Sequence, residues 1–543
     1  MAYGGGTFLA RNKVVPGTYI NVVGATRATA TLGDRGVVAV ALELEWGADN
    51  QIIEVTDTDF YKNSMRIFGF DYTDPRLFAL REIFRNAKKA LVYKSNSSST
   101  KAECDYATAK CSGIRGNDIN IRIASHEDHY EQTTQTTTGA LKIVADTTTP
   151  TSTQIRLKDV TPTPAGYTPA VNDYVLYVVD RFAVSTHFVA PYNTSETLVD
   201  TQIVSNVSEL VDNDWVIWKK TTESGGNSVT NDLALTAGMR LTGGSHVIPQ
   251  AGNLQEFLNL LEPYAFNTLT VDPTGVKSGS ADVAEATILD LFKNFTIRMR
   301  DETGAKFQFV CYGKTVSYAP DHEGIINVWT RPKPGLNSYS FTRRYGSGNA
   351  QGYVDNVLTK DRTDPSLVFW VAGAEAACPV NATVGSRAYD GELVLEHLTT
   401  QAELEEAINA GHFVMHQNGS SVIVLSDINS LTTTTSTKNN DFKLNQVIRV
   451  LDENSTAIAK VMGQKYYDKY NNNDATRRAI KADLTAILQQ LADLQAIERP
   501  ENNDWSNVVT VDPVDADRQA VDITETFKVT VAINKSYITV YVV

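Results

Sequence analysis

Helix-like and strand-like hydrophobic patterns alternate on both sides of a long Thr-rich stretch, and this arrangement limits the fold more than any other feature. A strand pattern in GVVAVALELEW precedes an amphipathic helix pattern in PRLFALREIFRNAKKALVYK, where Leu77, Leu80 and Phe84 recur at helical spacing. Helices and strands alternate again from about residue 238. Such alternation is typical of an α/β layer fold.

The Thr-rich stretch between these two parts follows a different pattern. It begins after the polar segment KSNSSST and contains short alternating runs such as YVLYVVDRFAVSTHFVA, separated by Gly, Asn and Pro clusters. This pattern predicts an all-β sandwich. The simplest account is an α/β domain over residues 25–95 and 238–436, interrupted by an inserted β-sandwich domain at 96–237. A helical C-terminal domain at 437–520 follows, with extended arms at 1–24 and 521–543.

The C-terminal arm, TETFKVTVAINKSYITVYVV, has an unusual apolar pattern. Alternate residues from Val521 to Ile533 are apolar, with Glu525 as the one exception, which is the period of a half-buried strand. Segment 537–543 is apolar or aromatic on both faces, so a strand there needs neighbours. Two interpretations are open: a central strand of the chain's own sheet, or an edge that pairs with another chain.

Composition excludes several classes of protein. The 543 residues exceed what one core supports, so several domains are expected. The net charge of −14 argues against nucleic acid as a partner. Four cysteines without a CxxC pair indicate reduced thiols, and neither a signal peptide nor an apolar run of membrane-spanning length is evident. We therefore expect synthesis in the cytoplasm and no insertion into a membrane.

The sequence offers few candidates for chemistry. His412 and His416 have the i, i+4 spacing of a helical metal pair, but HFVMH follows a strand pattern that would separate them by about 13 Å. His322, in DHEG, has two acidic neighbours but no further ligand at helical spacing. GGSH and GSGNAQG match no phosphate-binding loop, and no GxSxG is present. The sequence therefore predicts no catalytic, cofactor-binding or metal-binding residues.

One charged region departs from the acidic average. Between Lys438 and Lys481 nine lysines and arginines stand against five aspartates and glutamates. Arg477, Arg478 and Lys481 lie near the start of a predicted helix, where cations oppose the helix dipole. This region is either a solvated face or a surface for an acidic partner.

Six motifs in order carry a resemblance to a known family: NKVVPGTYINVV, TLGDRGVVAVALELEWGA, GIRGNDINIRI, LTGG, DHEGIINV and FKLNQVIRVLDENSTAIAKV. Together they resemble the contractile tail sheath proteins of phages, phage-like particles and R-type bacteriocins. The resemblance implies a subtilisin-like α/β core without protease activity, an inserted β-sandwich, a smaller α+β C-terminal domain and extended terminal arms. The boundaries inferred above agree with that plan.

The resemblance also implies an assembly. Stacked hexameric rings would surround an inner tail tube and contract to drive it through a target envelope, with baseplate and tail terminator proteins as further partners. The particle would be a virion tail or a bacteriocin assembled in the bacterial cytoplasm. Residues expected to exchange strands between subunits are Tyr19, Ile20, Val22, Phe527, Val529, Val531, Ile538 and Val540. Arg477, Arg478 and Lys481 are expected to face the inner tube.

Two other functions stay open at this point. A hydrolase with a cryptic centre at His322 or His246 would lose an activity, but not its assembly, when these residues are substituted. A non-contractile surface or capsid-like lattice protein would assemble without binding a tube protein. Neither alternative accounts for the six ordered motifs.

Overall fold

The structure is a computed structural model, and its chain divides into two compact units. One unit is Asp34–Arg449, and the other combines Met1–Gly33 with Val450–Val543. The structure describes residues 35–125, 142–144, 154–156, 174–180, 197–204, 209–219, 223–224, 227–228, 236–313, 320–345, 354–362, 364–396, 399–534, 536 and 538–539, and the backbone of 5–6 and 18–19.

Eight α-helices occur in the described ranges. They are α1 (Asp57–Phe68), α2 (Phe78–Phe84), α3 (Ala251–Leu261), α4 (Glu285–Arg298), α5 (Val368–Ala377), α6 (Gln401–Asn409), α7 (Asn445–Val461) and α8 (Asp474–Asp493). Two of them continue as a π-helical turn, α4 into Met299–Thr303 and α7 into Met462–Tyr466. None of these helices is both long enough and apolar enough to cross a bilayer.

The strands fall into three groups along the chain. The first is β1 (Gly5–Gly6), β2 (Thr18–Tyr19), β3 (Val37–Leu42), β4 (Ile53–Thr56) and β5 (Lys89–Lys94). The second is β6 (Ala107–Ala109), β7 (Ile119–Ser125), β8 (Lys142–Val144), β9 (Gln154–Arg156), β10 (Tyr174–Asp180), β11 (Thr197–Val204), β12 (Val216–Trp218), β13 (Glu223–Ser224), β14 (Asn227–Ser228) and β15 (Thr236–Arg240). The third is β16 (Thr268–Val271), β17 (Lys277–Ser278), β18 (Ala281–Asp282), β19 (Gln308–Tyr312), β20 (Ile325–Val328), β21 (Ser338–Tyr345), β22 (Val354–Asp361), β23 (His412–Asn418), β24 (Ser421–Ser426), β25 (Val509–Val514) and β26 (Asp517–Glu525).

One large mixed sheet organises the first unit. Its strand order is β24–β23–β20–β19–β16–β3–β5–β4. The six inner strands are parallel to one another, and the two outermost strands pair antiparallel. Every residue of β16, β19 and β20 is buried, as expected for parallel strands covered on both faces.

Helices cover both faces of this sheet. Val38 and Val40 of β3 belong to a core cluster with Trp370 of α5, whereas Ala39 belongs to a second cluster with Phe257 of α3. Alternate residues of one strand therefore face opposite helical layers. This arrangement confirms the predicted α/β core.

The Thr-rich stretch between the two parts of the core is built from strands. Its main sheet has the order β11–β10–β7–β8–β9, and β15 also pairs with β7. Among its described residues, Ile114–Asp118 forms a 3₁₀ turn. The two-sheet sandwich and the domain boundaries stay predictions.

Buried polar contacts join the inserted strands to the core. Lys94, at the end of β5, is fully buried, and its Nζ donates to Asp49 Oδ1 at 3.0 Å and to Ser112 O and Oγ at 2.6 Å. Where the chain leaves and re-enters the core, Thr100 N donates to Ser245 Oγ at 3.0 Å. We call this hydrogen-bonded junction between the insert and the core the root of the insert.

Two local predictions are confirmed. The segment GHFVMHQNGSSVIVLSDIN predicts a β-hairpin that turns at Asn418 and Gly419. β23 and β24 form this hairpin, and Gly419 has a φ of +62°. His412 and His416 both lie on β23, so they do not share a helix face.

The C-terminal region differs in part from the prediction. Apolar residues at helical spacing predict one buried stripe in this region: Ile480, Leu484, Ile487, Leu488, Leu491 and Leu494. The first five are buried on α8, but Leu494 is 45% exposed, just beyond the helix end at Asp493. β25 falls within the stretch predicted to be helical, and β26 crosses the predicted boundary at 521. The terminal strand also ends at Glu525 instead of continuing to Ile533.

Glu525 explains where that strand stops. It is the polar residue that interrupts the apolar alternation, and Asn454 Nδ2 donates to its Oε2 at 2.6 Å. Burial raises the pKa of this carboxyl group. A half-buried carboxyl held by a side chain of α7 fixes the last residue of β26, and the chain beyond it follows a different path.

Candidate assembly site

The C-terminal hairpin offers two strand edges with different chemistry. Thr526 N donates to Val508 O at 2.9 Å, so these two residues form a hydrogen-bonded pair between the two strands. Hydrogen-bonded and non-hydrogen-bonded pairs alternate along an antiparallel ladder, and residues of the second type point their backbone groups away from the other strand. Val521, Ile523 and Glu525 of β26 therefore direct their N–H and C=O groups outward. The matching outward positions of β25 include Pro513, which has no N–H to donate.

The segment after β26 turns back onto its own chain. Glu498 N donates to Lys528 O at 2.8 Å, and Thr530 N donates to Ala496 O at 2.9 Å. These bonds frame an antiparallel bridge between Ile497 and Val529. The sequence pattern does not reveal this pairing, because the three residues 496–498 are too few to produce a period.

The predicted strand-exchange residues fall into different surroundings. Phe527 and Val529 are half-buried within their own unit. By contrast, Val531 is 44% exposed and Ile538 is 80% exposed. Ile533, between them, is 93% exposed. Val540 lies outside the described residues, so the exposed apolar part of the described arm begins at Val531.

The N-terminal arm is described only in part. Tyr19 lies in β2, which pairs with β1 in parallel, opposite Gly6. Ile20 and Val22 lie outside the described residues. The predicted exchange by these three residues stays a prediction.

The three predicted tube-facing cations lie together at the start of α8 but differ in their contacts. Arg477 Nη1 donates to Asn472 Oδ1 at 2.7 Å, and Arg477 also pairs with Asp474. Lys481 Nζ donates to Ser506 O at 2.7 Å. Arg478 is exposed to solvent. Of the three, Arg478 therefore presents its charge most openly.

In the structure an acidic residue that is distant in sequence, Asp301, joins Glu323 beside His322. His322 Nε2 lies 3.8 Å from Glu323 Oε2 and 3.9 Å from Asp301 Oδ2. Their ligand atoms lie within 4.8 Å of one another, and His322 and Glu323 are each 8% exposed. Asp301 follows α4 and is distant in sequence, which is why the local motif did not reveal it.

Two observations argue against metal binding by this cluster. Gly324 N donates to His322 Nδ1 at 2.9 Å, so the neutral ring carries its proton on Nε2, the atom that a metal would need. Lys438 Nζ donates to Glu323 Oε1 at 2.6 Å, and Arg300 also lies close. The two carboxylates are thus balanced by two cations, and a divalent ion would add uncompensated charge.

The same geometry weakens the hydrolase alternative at His322. Burial lowers the pKa of His322, and Arg300 acts in the same direction against the opposing effect of Glu323. A general base needs a lone pair that faces its substrate. Here the lone pair on Nδ1 accepts from Gly324, while Nε2 carries the proton.

The edge of the sheet where α/β enzymes usually bind ligands holds a cavity of about 270 Å³. It lies at the carboxyl ends of β3 and β16, where the strand order reverses, and Glu43 and Asp272 follow those two strands. Tyr339 and Lys360, from the paired strands β21 and β22, also line this cavity.

The charged groups at this cavity are engaged within the chain. Arg362 lies 3.3 Å from Glu392 Oε2 and stacks over the Phe78 ring at 3.8 Å. His246 Nε2 lies 2.5 Å from Glu43 Oε1, at the neighbouring cleft. These internal pairs occupy the groups that a substrate would otherwise contact.

Three family models match successive parts of the chain. The phage tail sheath protein central domain matches residues 249–430, and the phage tail sheath C-terminal domain matches residues 437–543. The tail sheath protein Gp18 domain III N-terminal region matches residues 35–94. Together the three matches cover more than half of the chain.

Whole-chain relatives agree with these matches. Protein XkdK of the phage-like element PBSX of Bacillus subtilis (strain 168) is 27% identical over 98% of this chain and 100% of its own length. The crystal structure of a sheath tail protein from Desulfitobacterium hafniense is 25% identical, covers 94% of this chain and 96% of that protein, and has a TM-score of 0.64. A sheath tail protein from Listeria innocua, 23% identical over 92% of this chain and 93% of its own, shares the fold with a TM-score of 0.64. The chain therefore belongs to the phage tail sheath protein family.

Proposed function

We propose that this chain is the structural subunit of a contractile tail sheath, and that its copies stack as hexameric rings around an inner tube. The observation that carries the proposal is the apolar arm of a sheath family member, in which Val531, Ile533 and Ile538 are 44%, 93% and 80% exposed. Exposed apolar side chains on an extended segment are suited to strand addition on a second copy.

The outer edge of β26 is the natural acceptor for such an arm. Val521, Ile523 and Glu525 offer outward backbone groups there, whereas Pro513 interrupts the corresponding edge of β25. Because donor arm and acceptor edge are different surfaces, each copy can give and receive a strand. A contact between two different surfaces closes into a ring where the rotation between copies allows it, and otherwise continues from ring to ring as an open helical array.

Both terminal arms take part in the proposed exchange. The residues assigned to it are Tyr19, Ile20 and Val22 in the N-terminal arm, and Phe527, Val529, Val531, Ile538 and Val540 in the C-terminal arm. Each arm would add a strand to the C-terminal domain of a neighbouring subunit. Such a mesh would keep subunits connected while the rings move.

The partners follow from this role. Arg477, Arg478 and Lys481 would face an acidic inner tube, with exposed ion pairs worth about 0.2–1 kcal/mol each, weak enough to release on contraction. Baseplate and tail terminator proteins would bound the stack at its two ends. The net charge of −14 disfavours nucleic acid as a partner. Assembly would take place in the cytoplasm of a bacterial host.

Contraction in this proposal needs no enzyme activity. Packed interfaces adopt discrete alternative arrangements, so an extended lattice that relaxes to a compact one can do mechanical work. The core would be a subtilisin-like α/β domain that serves as a building block. The internal pairing of Arg362 at this cavity and of His246 at the neighbouring cleft supports this structural role over that of a hydrolase.

Negative-stain electron microscopy of the concentrated protein, with and without the inner tube protein from the same particle, tests the proposal. We expect hollow helical tubes, and sheaths of two different lengths around the tube protein. Flat sheets or closed shells that do not bind the tube protein would favour a non-contractile lattice protein. Monomers under every condition would contradict the proposal.

A further inference from the structure

The cavity at the carboxyl ends of β3 and β16 contains polar groups that the internal pairs leave without a partner. Ser95 follows β5, the neighbouring strand, and Ser366 lies in the 3₁₀ turn Asp364–Leu367. Ser95 is 3% exposed and Ser366 is 6% exposed, and both line the cavity. Within the described part of the chain no hydrogen bond satisfies either hydroxyl group. Buried hydroxyl groups are rarely left unbonded, so we expect their partner in the cavity.

Asp272, directly after β16, adds a carboxyl group to the same cavity. Its Oδ1 accepts from Thr274 N at 2.9 Å and from Thr274 Oγ1 at 2.6 Å, whereas its Oδ2 bonds to none of the described residues. Burial raises the pKa of this carboxyl group, and the charges of Glu43 and Glu285 act in the same direction. A desolvated carboxylate is costly unless a cation pairs with it, and no cation among the described residues does so.

We propose that this cavity binds a small aliphatic primary amine, whose ammonium group pairs with Asp272 and donates to the hydroxyl groups around it. An ammonium group carries three N–H donors. Asp272 Oδ2, Ser95 Oγ and Ser366 Oγ offer three acceptors, and Tyr339 of β21 adds a further hydroxyl group to the lining. The amine supplies both missing elements, a positive charge for the carboxylate and donors for the unbonded oxygens.

The rest of the cavity wall is suited to the hydrocarbon part of such a ligand. Apolar side chains from several elements line it: Leu42, Phe78, Leu254, Val276 and Phe369. Its volume of about 270 Å³ is many times what one water molecule requires. A hydrocarbon chain that enters this space leaves water and gains apolar contacts. The site therefore favours a compact amine with an aliphatic chain over a hydrated inorganic cation.

A metal ion fits this cavity less well than an amine. Divalent cations need several oxygen or nitrogen ligands in one shell. In the described ranges, Asp301, His322 and Glu323 are the group of three such residues whose ligand atoms lie within 4.8 Å of one another, and Asp272 does not belong to it. Lys360 adds a positive charge to the cavity lining, which disfavours a divalent ion more than a monovalent ammonium group.

Isothermal titration calorimetry of the unassembled full-length protein with 1-aminobutane, at constant ionic strength, tests the proposal. The cavity lies within a single chain, so the result does not depend on assembly. 1-Butanol has the same hydrocarbon chain without the charge and is the matched control ligand. We expect saturable binding of one amine per chain and none of the alcohol at the same concentrations. Saturable binding of neither would show that the cavity holds only water and would overturn the proposal, and equal binding of both would overturn the assigned ion pair.

Substitutions assign the binding to this cavity. Asp272→Asn keeps the shape of the side chain without its charge, and should weaken amine binding more than about a hundredfold. Asp522→Asn, at an exposed carboxylate on β26, is the matched control and should bind as the natural chain does. If Asp272→Asn does not fold, Ser366→Ala decides, because loss of one acceptor should weaken binding by roughly tenfold. Unchanged affinity in the folded variant would overturn the proposal.

Hydrogen exchange locates the site by an independent measurement. Saturating 1-aminobutane should slow amide exchange in the segments that contain Ser95, Asp272 and Ser366, because a bound ligand disfavours local opening. The β21 segment with Tyr339 should be slowed as well. Helix α6, whose residues do not line the cavity, is the internal control and should exchange at its original rate. Protection found only away from the cavity would place the amine elsewhere and overturn the proposal.

Discussion

Arg449 Nη2 lies 2.6 Å from Glu375 Oε2, and both side chains are fully buried. Asp427 Oδ2 is 3.5 Å from the same nitrogen, and Arg449 Nη1 donates to Ala382 O at 2.6 Å. These contacts join the first turns of α7 to α5 and to the loop after β24. The start of α7 is therefore held to the core by polar contacts that are buried away from water.

Removal of the Arg449 charge should destabilise the core strongly. Arg449→Met leaves the Asp427 carboxylate buried without its cation and Glu375 without its hydrogen-bond donor, and breaking a buried pair from one side costs about 3–5 kcal/mol. Urea unfolding of the unassembled protein measures this loss. Arg518→Met, at an exposed arginine, should change stability by about 0.5 kcal/mol or less. Equal effects of the two substitutions would contradict the assignment.

Stability should also depend on pH through Glu375. Burial, followed by the charge of Asp427, raises the pKa of Glu375 from 4.5 to about 8. The folded state then holds a proton that the unfolded state releases, so this contribution to stability falls as pH rises from 4.5 to about 8. Glu375→Gln keeps the shape of the side chain but removes its ionisable carboxyl group. The variant should gain stability relative to the natural chain between pH 5 and pH 8, and an identical pH dependence would exclude Glu375 as the source.

Charge reversal at the start of α8 tests the proposed tube contact. Arg478→Glu should weaken co-sedimentation with the inner tube protein, and raising the salt concentration should weaken binding of the natural chain in the same way. Lys62→Glu, an exposed lysine on α1, is the matched control and should leave binding unchanged. Unaltered binding by Arg478→Glu together with Arg477→Glu and Lys481→Glu would remove these residues from the proposed interface.

The root of the insert should tolerate no side chain at Gly113. This residue has a φ of +125°, and an added Cβ would lie 2.1 Å from Glu45 O. Gly113→Ala should cost more than the roughly 1–3 kcal/mol of backbone strain alone. Gly243→Ala carries a similar strain, at a φ of +85°, with nothing within 4 Å of the added atom. The difference between the two melting temperatures isolates the effect of the steric clash. We expect Gly113→Ala to have the lower melting temperature.

Zinc should not stabilise the protein. A bound ion present at 100 times its dissociation constant would add about 2.7 kcal/mol. The proton on His322 Nε2 and the nearby Lys438 oppose such binding, so the melting temperature should be the same in millimolar zinc and in chelator. A zinc-dependent increase that disappears in His322→Ala would show that the cluster binds metal after all.

Patterns that repeat along a chain allowed the larger elements to be predicted. The parallel strands of the core are apolar throughout, and the buried residues of α8 recur at helical spacing, so both could be recognised. The hairpin turn at Gly419 could be recognised because a positive φ favours glycine. Each of these signals is contained within about twenty residues.

Contacts between distant segments could not be predicted in this way. Asp301 meets His322 only because α4 and β20 are brought together by the sheet. Ile497 meets Val529 through a three-residue segment without its own period. Glu525 interrupts an apolar alternation, yet nothing local shows that Asn454 would hold it. Such positions depend on tertiary packing, which decides where a pattern ends.

The bonded root of the insert also bears on how such a chain can vary. Thr100 and Ser245 are hydrogen-bonded to each other, and Glu103 and Thr242 exchange backbone bonds of 2.8 and 2.9 Å just beyond them. The two crossings therefore leave the core side by side. Segments whose ends meet can lengthen, shorten or be replaced without altering the strand order beneath them. Natural size variation within this fold should therefore concentrate beyond residues 103 and 242, while the eight-stranded sheet keeps its order.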